Sequence, residues 1–185
     1  VNKNGIILVE FNRWCSHHIC YGYLINSLKK KYKCRVNSYE GYTLLSGRIS
    51  QSFSQKLKWN IGQKLSINNF GIYNEMGTDK FIRPENSKII EKQFKIFLKK
   101  RKIFKNKYDV INFKLNKIWI GDLIYDTYLK VKNIPTIDIK DEKFINFFEN
   151  SIYVFLFWFN YFKKNNVKAL IISHSTYLYG IVMRI

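Results

Sequence analysis

The chain has 185 residues and a formal net charge of +19, with 32 lysine and arginine residues against 13 acidic ones. This length suffices for one domain with a substantial core, and no amino-terminal stretch resembles a secretory signal. The charge would suit nucleic acid, yet only six of the basic residues are arginine, the better side chain for phosphate and base recognition. The composition therefore argues against a nucleic-acid partner and favours distributed charge facing an anionic membrane or polymer.

The chain contains three cysteines, Cys15, Cys20 and Cys34, at spacings that match neither a zinc site nor a disulfide framework. Free, mostly buried thiols in a reducing compartment fit best. We therefore expect a cytoplasmic protein, with a peripheral contact to the inner face of the membrane suggested by its charge.

The amino-terminal third reads as a β-α-β unit. Residues 5–11 form a continuous apolar run, typical of a strand buried on both faces. Residues 17–32 predict a helix and residues 34–39 a second strand, which short connections would place parallel to the first. The inward side of the helix is predicted to consist of Ile19, Cys20, Tyr23, Leu24 and Leu28.

The middle of the chain is less regular. Residues 52–64 predict a helix with Phe53, Leu57 and Ile61 on its inward stripe, and residues 70–77 a strand or an irregular loop. Residues 87–102 form a clear amphipathic pattern, with lysines outward. Its inward residues are predicted to be Ile89, Ile90, Phe94, Phe97 and Leu98.

In the last third, residues 108–113 resemble a strand, and Asp122 is a natural N-cap for a helix from Leu123 that ends before Pro135. Residues 138–163 predict the longest helix. Its segment 152–159 is apolar all round but too short to span a bilayer, so we expect it to be buried. A final strand covers residues 167–173.

These elements predict an α/β fold, a Rossmann-like and mostly parallel sheet with helices on both faces. The predicted strands are residues 6–10, 35–39, 110–113 and 169–172. Residues 1–185 are expected to form a single domain, and the carboxyl-terminal pattern suggests that a further domain is missing.

Two similar junctions carry all three histidines of the chain. Ser16, His17 and His18 follow the first strand, and Ser173, His174, Ser175 and Thr176 follow the last. The carboxyl ends of parallel strands, followed by helix N-termini, are where open α/β sheets bind ligands. These side chains could serve in catalysis or substrate binding, or they could simply pack in the fold. Ser16, Ser175 and Thr176 could also cap their helices.

Three acidic residues are further candidates. Glu10 is a rare acid in an apolar run, and a buried carboxylate is a candidate catalytic group. Asp122 and Asp126 lie four apart, with Tyr125 beside them, and could share a proton or a substrate hydroxyl. The alternative is that Asp122 caps its helix and Asp126 is solvated, which is the interpretation we favour for Asp126. The sequence offers no zinc-ligand spacing, Gly-x-Ser-x-Gly elbow, dinucleotide fingerprint or Walker A motif, so no metal is predicted.

Three segments resemble the bacterial surface or capsular polysaccharide biosynthesis proteins, which are glycosyltransferase-like and have two facing Rossmann-type domains, the GT-B architecture. These segments are residues 11–18 (FNRWCSHH), 120–129 (IGDLIYDTYL) and 171–177 (IISHSTY). The resemblance covers nearly the whole chain and implies the amino-terminal half of such a protein. That half usually contributes acceptor contacts, whereas the missing half would hold most of the nucleotide sugar.

The resemblance implies transfer of a sugar from an activated nucleotide donor to a growing glycan. Glu10, His17, His18 and His174 are the catalytic candidates; Ser173, Ser175, Thr176, Asp122 and Tyr125 are candidate substrate contacts. The expected partners are a nucleotide sugar and a glycan acceptor, with no cofactor bound by this part of the chain. The alternative is a non-catalytic basic module that binds an anionic glycan or membrane lipid during polysaccharide assembly or export.

Overall fold

A computed structural model describes residues 5–41, 53–85, 87–100 and 104–185. The strands are β1 (Gly5–Phe11), β2 (Arg35–Glu40), β3 (Thr78–Ile82), β4 (Lys114–Leu115), β5 (Ile118–Trp119) and β6 (Asn166–Ile171). The helices are α1 (Cys15–Tyr32), α2 (Phe53–Lys64), α3 (Asn69–Glu75), α4 (Lys88–Lys100), α5 (Lys107–Ile111), α6 (Gly121–Lys132), α7 (Glu142–Lys164) and α8 (Ile181–Arg184). A 3₁₀ helix (Tyr177–Gly180) precedes α8.

The contacts between residues divide the chain into two compact units. Among the described residues, the first unit comprises 5–41, 53–83 and 162–173, and the second comprises 84–161 and 174–185. The assignment of residues 1–185 to one domain stays a prediction.

The first unit contains a four-stranded sheet in the order β3-β2-β1-β6, and every neighbouring pair of strands is parallel. All seven residues of β1 are buried, as expected for a strand whose apolar residues point to both faces. On one face, Ile7, Val9 and Phe11 pack with buried residues of α1 and α3. The predicted α/β fold with a parallel, helix-flanked sheet is confirmed.

Phe11 is the centre of an aromatic cluster at this face. Its ring lies 4.7 Å from Phe70, 4.8 Å from Tyr73, and 5.5 Å from both Trp59 and Phe81, measured between centroids. Tilted and edge-on ring pairs at these distances add to the free energy gained from burial. The cluster therefore fixes the position of β1 where the strand ends.

Three helices bury faces that differ in part from those predicted. In α1 the buried residues are His18, Tyr21 and Ile25, whereas Ile19 is 82% exposed and Cys20, Tyr23 and Leu24 are also exposed. In α2 the predicted inward residues Phe53, Leu57 and Ile61 are exposed, while Trp59 packs against the core. In α4 the predicted inward residues Ile89 and Leu98 are exposed, whereas Ile90 is buried. The prediction for α1 failed because apolar periodicity takes no account of the hydrogen bonds that allow His18 and Tyr21 to be buried. The expected burial of the thiols holds for Cys34 but not for Cys15 and Cys20.

Two segments predicted to be extended are helical, and one strand of the sheet was not predicted. Residues 110–113 do not form a strand, because Asn106 and Asp109 make a capping box that starts helix α5 instead. Residues 70–77 were predicted as a strand or an irregular loop, but residues 70–75 belong to helix α3. The third strand of the sheet is β3, whose sequence TDKFI is partly exposed and polar, as edge strands often are.

The second unit is mainly helical and includes a short antiparallel hairpin of β4 and β5. Asn116 and Lys117 form its two-residue turn with φ of 52° and 68°, the left-handed pairing that tight hairpins require. Along α7, Ile152, Phe155 and Trp158 are fully buried, so the predicted burial of the apolar segment is confirmed. No helix in the described ranges combines the length and apolar character needed to cross a bilayer.

Candidate functional site

Strands β1 and β6 are parallel neighbours, with Val9 opposite Ile171. The chain leaves β1 towards β2 on one side, and β6 lies on the other side. This reversal of strand order is a topological switch point, at which open α/β sheets form ligand crevices outside their carboxyl ends. The polar residues that follow β1 and β6 therefore occupy the preferred position for a ligand site in this fold.

Glu10 and Ser173 join these two strand ends. The backbone N–H of Ser173 donates to Glu10 Oε2 over 2.6 Å, and the Ser173 hydroxyl donates to the same oxygen over 2.5 Å. Glu10 is only 3% exposed, so both hydrogen bonds form largely away from water, where a charged acceptor strengthens them. Tyr21 adds a longer hydrogen bond to Oε2, at 3.4 Å.

Asn12, the first residue after β1, is the centre of the network. Its Oδ1 accepts from the backbone N–H of Trp14 over 3.1 Å, which fixes the orientation of the amide. Its Nδ2 therefore faces His17 Nδ1 and the Tyr21 hydroxyl, each at 3.2 Å, and donates to both. Asn12 is 4% exposed, and both the oxygen and the nitrogen of its side-chain amide are hydrogen-bonded to protein groups.

These hydrogen bonds assign the tautomers of both histidines. Because an amide NH₂ only donates, His17 Nδ1 must be the unprotonated nitrogen, and the ring proton of neutral His17 lies on Nε2. His18 Nε2 lies 3.1 Å from the Asn12 carbonyl, which only accepts, so His18 is also protonated on Nε2. His18 is buried, whereas His17 is partly exposed. Of these two histidines, His17 is therefore the one that can offer its N–H to a ligand at this edge.

Two buried tyrosines complete the network. The Tyr73 hydroxyl donates to the Glu10 carbonyl over 2.7 Å and accepts from the Asn12 backbone N–H over 3.1 Å. Burial, reinforced by the Glu10 carboxylate, raises the pKa of Tyr21 well above its usual range. Burial likewise raises the pKa of Tyr73. Both phenols therefore stay neutral at physiological pH and act as hydrogen-bond donors.

The opening of α1 adds backbone donors to this edge. Trp14 is the N-cap and provides no side-chain cap; Ser16 lies inside the first turn and is exposed. The capping alternative for Ser16 is therefore wrong. Because α1 is 18 residues long, its uncapped N–H groups present partial positive charge next to His17.

The second predicted junction is divided between the units. Ser173 belongs to the first unit, whereas His174, Ser175 and Thr176 belong to the second and are exposed. Thr176 precedes the short 3₁₀ helix but makes no side-chain cap. The His174 ring lies 5.9 Å from that of Tyr179. The predicted approach of His17 or His18 to His174 stays a prediction.

Asp122 is not the predicted N-cap. Helix α6 begins at Gly121 after Ile120, and Asp122 instead forms a two-pronged ion pair with Arg184, with N–O distances of 2.6 and 2.7 Å. Although Asp126 is an exposed residue, partial desolvation of its carboxyl and the neighbouring Asp122 raise its pKa. Tyr125 lies between them and is half-buried. These residues belong to the second unit.

Sequence reasoning missed Asn12, Tyr21 and Tyr73. The signal available for Asn12 was a lone amide directly after a buried strand, and for Tyr21 its position one helical turn after His17. Nothing local pointed to Tyr73, which reaches β1 from helix α3. Among the described residues, no group of three or more histidine, cysteine, aspartate or glutamate side chains is placed to hold a metal ion.

Comparisons with protein-family models, with curated proteins and with solved structures found no match to this chain.

Proposed function

We propose that the carboxyl edge of β1 and β6 binds substrate in a glycosyl transfer from an activated nucleotide sugar to a growing glycan of the bacterial surface. The observation that carries the proposal is the hydrogen-bonded network of Glu10, Asn12, His17 and Ser173 at the switch point of the sheet. The chain segments that resemble polysaccharide biosynthesis proteins include His17 and Ser173.

In such a transfer, the acceptor hydroxyl oxygen bonds to the anomeric carbon while the bond from that carbon to the diphosphate breaks. The acceptor proton passes to a base, and donors must stabilise charge on the departing phosphate. His17 Nε2–H and the first N–H groups of α1 are donors of this kind. We therefore assign His17 to binding a substrate oxygen rather than to accepting a proton.

Glu10 and His18 serve this proposal as supporting groups. Glu10 Oε2 already accepts two short hydrogen bonds from Ser173, and His18 donates to the Asn12 carbonyl. Both side chains are buried. Their role in the proposal is to hold the ends of β1 and β6 together and to orient the Asn12 amide, so that His17 is presented in one tautomer.

A transfer assay on the intact protein tests this proposal. The assay would follow release of nucleoside diphosphate from UDP-glucose, UDP-N-acetylglucosamine and GDP-mannose in the presence of a surface-glycan acceptor. We expect His17→Ala to lower turnover at least about tenfold, equivalent to about 1.4 kcal/mol of transition-state stabilisation. Ser27→Ala, an exposed change further along the same helix, is the matched control and should keep full turnover. Full activity of His17→Ala would contradict the proposal.

The alternative is a non-catalytic basic module that binds an anionic glycan or membrane lipid. The observation in its favour is the exposed row of lysines along α4. The same assay separates the two functions. A module of this kind would release no nucleoside diphosphate with any of the three donors, yet would still bind the anionic partner.

A further inference from the structure

Helix α4 presents a straight row of lysines to solvent. Lys88, Lys92, Lys95 and Lys99 are all exposed and line one groove together with Glu91 and Ile96. Their spacing of four, three and four residues places them within about 60° of the helix circumference, since an α-helix turns once in 3.6 residues. The row is about 17 Å long at 1.5 Å per residue. We call these four residues the lysine stripe.

The opposite side of α4 is firmly packed. Ile90 is buried, and the Phe94 ring lies 4.2 Å from that of Tyr153. The side-chain amides of Gln93 and Asn160 exchange two hydrogen bonds, of 3.3 and 2.6 Å. These contacts, all within the second unit, fix the rotation of the helix. The lysine stripe therefore faces outward because of packing.

Aliphatic side chains run beside the lysine stripe. Ile89 is 51% exposed and Ile96 is 46% exposed, and the two lie seven residues apart on the same flank of the stripe. The main apolar face of α4 is packed inside the second unit, but the exposed flank still places aliphatic side chains beside a row of lysines, two features that membrane-surface helices share. Lysine side chains can lay their methylenes along apolar surface while the ammonium groups reach headgroup phosphates.

We propose that the lysine stripe of α4, with Ile89 and Ile96, docks the protein on a membrane surface rich in anionic lipid. Each lysine near such a surface contributes favourably, and the contributions decay over the screening length of the salt. Nucleic acid fits less well, since single-strand binding needs exposed aromatic rings for base stacking, and the groove is lined by lysines, Glu91 and Ile96. The proposal does not depend on the sugar transfer proposed above.

Sedimentation of the intact protein with lipid vesicles tests this docking surface. The vesicles would be phosphatidylcholine alone or with about 30% phosphatidylglycerol, at about 0.1 M salt. We expect binding to the anionic vesicles only, and weaker binding as salt rises. Changing the four stripe lysines to glutamine should lower the partition coefficient at least about tenfold. Changing them to arginine keeps the charge and should keep binding.

The matched control replaces Lys30, Lys33, Lys56 and Lys64 with glutamine. All four are exposed and lie on the first unit, so the net charge falls equally while the lysine stripe is intact. This variant should change the partition coefficient less than about twofold. An equal loss in both glutamine variants would overturn the proposal, because net charge rather than the stripe would then govern binding.

The aliphatic contribution has its own test and control. The double change Ile89→Ser and Ile96→Ser should weaken vesicle binding and leave its salt dependence unchanged, since no charge is altered. The double change Ile19→Ser and Leu65→Ser, at exposed positions on the first unit, should have no effect.

Binding of heparin or polyuridylate through the lysine stripe, without binding to vesicles, would instead assign the surface to an anionic polymer. Equal binding to neutral vesicles would also refute the proposal.

Discussion

At the scale of single residues, Asn12 determines the chemistry of the candidate site. Its amide is oriented by the Trp14 N–H and in turn fixes the tautomer of His17. A histidine so held is a donor at Nε2 and is not prepared to take a proton at Nδ1. The sequence identified His17 as a candidate but left its role open, because the role depends on which atom of a buried amide faces the ring.

A residue-scale prediction concerns Asp126, whose pKa is raised first by partial desolvation of the carboxyl and then by the negative charge of Asp122, while Arg184 opposes the rise. Asp122→Asn removes the repulsion and should lower the pKa of Asp126. Arg184→Gln removes the attraction and should raise it. A carbon-13 NMR titration of the Asp126 carboxyl would measure both shifts.

The sign of the corresponding effect on stability follows from proton linkage. An aspartate with a raised pKa in the folded state favours folding at low pH, and this contribution is lost as the pH rises through the folded pKa. In the Asp122→Asn variant the pKa of Asp126 is less raised. The free energy of unfolding should therefore fall less as the pH rises through the pKa of Asp126. Asp141→Asn, which changes a carboxylate that does not perturb Asp126, is the control. Shifts of the same sign in the Asp122 and Arg184 variants would contradict this account.

At the scale of elements, the apolar runs predicted β1, β2 and β6, because strands buried on both faces leave a continuous signal in the sequence. The edge strand β3 left no such signal, since its side chains are partly exposed. The inward face of α1 was mispredicted for a different reason. His18 and Tyr21 are buried because Asn12 and Glu10 satisfy their polar atoms, and hydrophobic periodicity contains no information about such partners.

Gly121 gives a prediction at this scale. A Cβ placed there would collide with the backbone oxygens of Val110 and Ile111 and with the backbone nitrogen of Phe113. The close approach of α6 to the end of α5 therefore requires glycine. Gly121→Ala should destabilise the protein by about 3 kcal/mol, as expected for a steric clash with backbone that cannot move aside. Urea unfolding would measure the change.

The matched control is Gly22→Ala, in the interior of α1. A Cβ there meets only Met76 atoms, at 3.9 Å, an ordinary contact distance. Because alanine favours a helix interior over glycine, this change should stabilise the protein by about 0.5–1 kcal/mol. Equal free energies of unfolding for the two variants would show that α6 does not need its close approach to α5.

At the scale of the whole molecule, the net charge of +19 does not by itself identify a binding surface. A binding surface requires basic side chains that the fold aligns on one face. The lysine stripe of α4 is one such place. The candidate ligand site depends instead on topology, because the strand order β3-β2-β1-β6 brings Glu10 next to Ser173 although 163 residues separate them. Local sequence patterns predicted where β1 and β6 end. The parallel pairing of the two strands then brings the residues at these ends together.

The central claim is that the Asn12 network orients His17 so that its Nε2–H donates a hydrogen bond to a bound nucleotide sugar. Long-range proton–nitrogen NMR of the imidazole rings in the intact protein tests it most directly, at a pH of about 8, where histidine is neutral. We predict His17 with Nδ1 unprotonated and Nε2 protonated, and a shift of Nε2 on addition of UDP-glucose, UDP-N-acetylglucosamine or GDP-mannose, while buried His18 stays unchanged. A protonated His17 Nδ1, or a His17 signal unmoved by all three donors, would contradict the claim.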